Sequence, residues 1–208
     1  GGDSGAEEAD ATAARRLAKA APLAADLGVR VLLETHDSHG TGADAARVVG
    51  AVGHASAGVL WDVMHTWRGG EAPQDTHRVL APYLGYVQVK DIPSAEDTTP
   101  LPPGQGVLPL GEVVELLTRA ADEEADSPRE TDAGAPAADA GTGTDPVAGL
   151  GEAQNQGQEQ ERGPRGADAG GGWLCWEYEK RWYPQVPELP ELLPGVRDHL
   201  MRLLSASA

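Results

Sequence analysis

Gly58-Val59-Leu60-Trp61-Asp62 is a short run of small and apolar residues that ends abruptly in a carboxylate. Branched and aromatic residues in so brief a run predict a strand. An acid closing a core strand is costly to desolvate unless it is paired or binds a cation. The form recurs along the chain. Val29-Arg30-Val31-Leu32-Leu33 runs into Glu34, and Trp173-Leu174-Cys175-Trp176 runs into Glu177. Tyr86-Val87-Gln88-Val89 carries an amide within the run and ends Lys90-Asp91. Strands are therefore expected over 29–34, 58–62, 86–91 and 173–178.

Helical patterns lie between these runs. Residues 11–27 are Ala-rich and are followed by Gly28, the usual residue just past a helix end, with Pro22 expected to kink or restart the helix. Thr41 with Asp44 three residues on forms an N-terminal cap for a helix reaching about residue 52. Helices are expected over 73–80, with Pro73 in the first turn, over 110–121 and over 195–204. A Pro/Gly loop fills 93–109. Strands alternating with helices predict βαβ units and a parallel sheet. The nearly unbroken apolar character of the strands agrees with burial on both faces.

Residues 121–170 lack Phe, Trp and Tyr and hold twelve Asp/Glu against three Arg, a net −9 of the chain's formal −17. Such a composition buries too little apolar surface to offset chain entropy, so 122–170 is expected to be a disordered acidic insertion. Residues 1–121 and 171–208 are then the folded domain. No basic stripe is present for nucleic acid, and no apolar run of about 18 residues suits a membrane. One cysteine, Cys175, excludes an internal disulfide and fits a cytoplasmic location. It is expected to be a buried, inert thiol.

In a barrel of βα units the C-terminal strand ends form the active-site rim. Side-chain alternation puts Glu34 with His36, Gln88 with Lys90, and Cys175 with Glu177 and Glu179. If Glu34, Asp62, Gln88 and Glu177 point inward, three carboxylates and an amide oxygen meet. That oxygen-rich set suits Mg²⁺ or Mn²⁺, with Zn²⁺ or Co²⁺ as alternates. His65 lies on the loop after Asp62, within reach of the same cavity. Lys90 has two readings, binding a phosphate or carboxylate or pairing with Glu177 or Glu179. Arg68, in the loop Trp67-Arg68-Gly69-Gly70, is either a substrate contact or solvated. Glu179-Lys180-Arg181 reads as a surface charge cluster, and Trp67 and Trp182 as aromatic packing near the mouth.

The segments Leu33-Glu34-Thr35-His36-Asp37, Leu60-Trp61-Asp62-Val63-Met64-His65, Val87-Gln88-Val89-Lys90-Asp91 and Trp176-Glu177-Tyr178-Glu179 resemble, in order, strands five to eight of the xylose isomerase-like barrels. That group holds sugar-phosphate isomerases, ketose 3-epimerases and inosose-processing enzymes. The resemblance implies the C-terminal half of a (β/α)₈ TIM barrel. It implies metal ligands Glu34, Asp62, Gln88 and Glu177, with Gln88 standing where the family has His. It also implies His65 as a substrate hydroxyl contact and Glu34 and Glu177 as a proton-transfer pair acting through an enediolate. The expected substrate is a small sugar or sugar phosphate.

Two other functions compete. An endonuclease IV-like phosphodiesterase would need a His-rich zinc cluster and a basic groove, which the net charge of −17 and Gln88 oppose. A non-catalytic half-barrel would leave two open parallel edges, inviting a homodimer or docking on an N-terminal half.

Overall fold

The four apolar runs become four parallel strands, because each is joined to the next through helices that return the chain to the same end of the sheet. A computed structural model describes residues 4–126 and 173–206. The strands are β1 (Val31–Glu34), β2 (Ala57–Asp62), β3 (Leu84–Val89) and β4 (Leu174–Trp176), in the order β1-β2-β3-β4. The helices are α1 (Ser4–Asp26), α2 (Gly42–Val52), α3 (Val63–Arg68), α4 (Pro73–Leu80), α5 (Leu110–Asp126) and α6 (Leu189–Ala206). The alternation expected from the sequence is present, with a parallel register throughout.

Several boundaries differ from expectation. Helix α1 begins at Ser4 rather than at residue 11 and runs through Pro22 without a break. Helix α6 begins six residues early, at Leu189, and encloses Pro194. Lys90 and Asp91 leave the β3 ladder, and only three residues of the fourth run pair. The segment after Asp62, expected as a loop, is helix α3, with Asp62 as its N-cap. The acidic insertion was expected from residue 122, but α5 continues to Asp126. The rest of that segment lies outside the described residues.

Alternation and register divide the sheet into two unlike faces. Val59, Trp61, Val87 and Val89 form one face, packed with Leu80, Val113 and Ala45 from the helices into a single apolar core. On the other face lie Leu32, Leu60, Tyr86 and Cys175, with Glu34, Asp62, Gln88, Lys90 and Glu177 toward the strand ends. The register that pairs Asp62 with Gln88 and Gln88 with Cys175 fixes this division. Cys175 is exposed, not buried as expected. Alternation assigned its side correctly, but among the described residues no helix covers that side. Near the opposite strand ends, Arg30 crosses this face and donates to the carbonyls of Tyr83 and Leu84, each at 3.1 Å. Only a glycine at position 58 permits that path: a Cβ there would stand 2.3 Å from the guanidinium.

Beyond β3 the chain is held by one side chain. Asp91 is buried, and its carboxylate accepts from four backbone N–H groups: Ile92 and Leu108 at 3.1 Å, Gly104 and Gly106 at 2.8 Å. A Cβ on Gly106 would lie 2.3 Å from Asp91 Oδ1, so glycine is required for this close approach. Asp91→Ala is therefore expected to strand several buried donors and lower unfolding free energy by roughly 3 kcal/mol or more. Urea denaturation followed by circular dichroism measures this. A loss below about 1 kcal/mol would show that water replaces the carboxylate.

Candidate functional site

The candidate side chains gather at the C-terminal ends of the strands, on the face opposite the helix-packed core. Asp62 is their centre. It is fully buried, and its two oxygens have different tasks. Oδ1 accepts from the Met64 backbone N–H at 2.9 Å, which caps α3. Oδ2 faces the site, 3.0 Å from Lys90 Nζ and 3.4 Å from Gln88 Nε2. The buried Thr35 hydroxyl ties the end of β1 to β2, donating to the Asp62 carbonyl at 3.2 Å and accepting from its N–H at 2.9 Å.

Lys90, 3% exposed, also contacts Glu177 Oε2 and lies 3.5 Å from Glu179 Oε2. Of the readings the sequence left open, the structure thus shows pairing, and with three carboxylates. Burial alone would lower the ammonium's pKa. The charge of Asp62 and the bonds to Glu177 and Asp62 outweigh it and hold Lys90 above its ordinary value. Glu179 belongs to this group rather than to a surface cluster. Lys180 turns the other way, to the carbonyls of Pro184 and Val186 and to Glu188.

The Gln88 amide links the two remaining acids, donating to Glu34 Oε1 at 3.3 Å and Asp62 Oδ2 at 3.4 Å. Ionised carboxylates only accept, so the amide must present its NH₂ group to them. Burial raises the Glu34 pKa above the ordinary 4.5, and the charges of Asp62 and Glu177 add to this against the pull of His36 and Lys90. Tyr86, one layer below Gln88, has its hydroxyl pKa raised by burial and by Cys175, Glu34 and Glu177. It floors the site. The alternation Tyr86, Gln88, Lys90 was the signal for it, and the sequence reading did not use it.

His65 lies on α3 rather than on a loop. Burial lowers its pKa, opposed by Asp62 and assisted by His36, Lys90 and Arg68, so the ring is neutral near pH 7. Its Nε2 is 3.9 Å from Asp62 Oδ2, and its ring centroid is 4.0 Å from that of His36. His36 follows β1 and stands just before Asp37, whose φ of 44° turns the chain sharply. Aspartate tolerates that left-handed conformation. Arg68 closes α3 and donates to the Ala95 carbonyl at 2.9 Å. With His65, Thr41 and Asp44 it lines a cleft of about 480 Å³ that meets the site at His65. Trp67 packs against the core, while Trp182 is exposed and stacked by Arg181 at 5.0 Å.

The four residues expected to hold a metal therefore meet, but in an arrangement that does not fit one. Among the described residues, no three His, Cys, Asp or Glu side chains group closely enough to hold an ion. The Lys90 ammonium sits between Asp62 and Glu177, and Gln88 offers hydrogens where a ligand needs lone pairs.

A parallel sheet with helices on one face and carboxylates at its strand ends defines an α/β protein of the TIM-barrel class. The chain belongs to the xylose isomerase-like TIM barrel family, whose model matches residues 1–123. No curated protein matches it. A solved structure described as the probable 3-DHS dehydratase AsbF, involved in petrobactin synthesis, from Bacillus anthracis, is similar. The identity is 23% and the TM-score 0.46, over 49% of this chain and 44% of that one. The chain thus spans less than half the length of that protein. Among the described residues, no helix is long and apolar enough to cross a membrane.

The raised Glu34 pKa carries a sign. A carboxyl whose folded pKa lies above its unfolded value stabilises the fold fully below the unfolded pKa, and this contribution is lost as pH rises through the folded value. Glu34→Gln is therefore expected to be more stable than the unsubstituted chain at pH 7, with the difference shrinking as pH falls toward 4.5. Parallel urea titrations at pH 7 and pH 4 measure it. A difference independent of pH would mean that Glu34 ionises without penalty.

Proposed function

We propose that the chain carries one side of the active-site rim of a sugar phosphate isomerase/epimerase-like enzyme, moving a proton beside the carbonyl of a small sugar or sugar phosphate through an enediolate. The observation that supports this best is the placement of Glu34 and Glu177 on opposite flanks of one locus. Glu34 ends β1 and Glu177 follows β4, with Asp62, Gln88 and Lys90 between them.

One carboxylate of the pair takes the proton from the carbon next to the carbonyl, leaving an enediolate. The other returns a proton to the opposite face, and the two reset through solvent. The raised pKa of Glu34 suits it to hold a proton between these steps. Glu177, with its side chain 33% exposed, remains within reach of a substrate. The positive charge nearest the developing enediolate is that of Lys90. A neutral His65 both donates and accepts, as a contact to sugar hydroxyls requires, and His36 stacks beside it. Arg68, in the adjoining cleft, suits a phosphate or a distal hydroxyl. The reaction belongs to the cytoplasm, where sugar phosphates are found. The acidic balance opposes an endonuclease reading, and nothing in the site favours one.

The test is exchange of the proton beside the carbonyl with solvent deuterium. It is followed by NMR for a panel of small ketoses and their phosphates, with the complete chain. Glu177→Gln is expected to slow exchange by roughly 10²- to 10⁴-fold while leaving circular dichroism unchanged. Exchange within threefold of the unsubstituted chain would remove Glu177 from the reaction.

A further inference from the structure

We infer that Lys90 is the resident cation of this site: its ammonium occupies the position at which a divalent ion would bind, so the chain works with a fixed +1 charge and binds such ions weakly. The inference uses the proposed function only to locate the site.

Three observations carry it. Lys90 Nζ stands 3.0 Å from Asp62 Oδ2, touches Glu177 Oε2 and is 3.5 Å from Glu179 Oε2, a carboxylate shell around one cation. Lys90 is 3% exposed and Asp62 is 0%, so neither group can leave the other without burying an unpaired charge. Gln88 meanwhile gives both Glu34 and Asp62 an N–H. Together they engage Asp62 Oδ2, Glu34 Oε1 and Glu177 Oε2, oxygens that a metal would otherwise take. Gln88 and Lys90 are alternate residues on one face, so a single short segment supplies both the charge and the polar link. The substitution at 88 and the lysine at 90 then form one device. An imidazole at 88 is a strong ligand for a transition ion, whereas an amide bridges carboxylates that an ammonium has already neutralised.

Calorimetric titration with MnCl₂ alone, without substrate, tests this on four forms of the complete chain: unsubstituted, Gln88→His, Lys90→Met and the double variant. The unsubstituted chain is expected to bind Mn²⁺ no tighter than about millimolar, as is Gln88→His, because Lys90 still fills the position. Lys90→Met is expected to bind at least tenfold tighter, and the double variant a further tenfold. Micromolar binding by the unsubstituted chain, or a full gain from Gln88→His alone, would overturn the inference. So would variants lacking Lys90 that bind no tighter than the parent. Should Lys90→Met unfold for want of a partner to Asp62, the first two forms still decide. Recovery of its circular dichroism by MnCl₂ would count in favour, and failure to recover against. Since no substrate is present, these results are independent of whether Glu177→Gln slows proton exchange.

Discussion

The pair formed by buried Asp62 and Lys90 is the constraint on which the site depends. A carboxylate with no solvent contact needs partners for both oxygens, and here those partners organise the surroundings. One oxygen caps α3, and that helix carries His65 and Arg68. The other holds Lys90, which in turn draws in Glu177 and Glu179 from beyond β4. The magnitudes rank these tasks. A helix cap is worth about 1 kcal/mol, whereas breaking a buried ion pair by removing one partner costs about 3–5 kcal/mol. The six residues of α3 are too few to persist on their own, so tertiary contacts hold them. Asp62 supplies one, and the Trp61 indole, donating to the Thr66 hydroxyl at 2.8 Å, supplies another.

The open face inverts the logic of the covered one. On the helix side, valines and Trp61 interlock at negligible exposure, and the Trp61 indole N–H is paired with the Thr66 hydroxyl. Toward the strand ends of the other side, five polar groups share one locus, and none is simply solvated. Thr35, Gln88 and Asp91 serve this arrangement without being charged partners themselves. Thr35 fixes β1 against β2, Gln88 spaces two acids, and Asp91 anchors the loop that follows β3. Backbone donors and acceptors hold the strand ends from behind.

Much of this was legible in the sequence, and the reasons for the exceptions are physical. Short apolar runs ending in acids gave the strands and the rim, since period-two alternation is a local property. Thr41 as a cap and Gly28 as a helix end were local too, and both are found. Glu177 and Glu179 were legible as candidate partners of Lys90, but Asp62 and the choice of pairing over ligand binding were not local. That choice depends on the register that sets Gln88 beside Cys175 and so brings Glu177 alongside Lys90. The clasp of Asp91 was invisible because three of its four partners are backbone groups thirteen to seventeen residues on. The exposure of Cys175 shows a different limit. Alternation assigns a side chain to a face but does not say what covers that face.

The position of the ammonium also explains why the acids are unequal. Lys90 lies against Asp62, Glu177 and Glu179, and Glu34 receives only the hydrogen of an amide. Four carboxylates thus share one nearby fixed cation, and Glu34 is the member without direct contact to it. Glu34 responds with a raised pKa, its burial reinforced by the charges of Asp62 and Glu177. A central divalent ion would act oppositely, pulling the pKa of every ligand down. An off-centre ammonium instead leaves one acid paired and another bridged only by an amide.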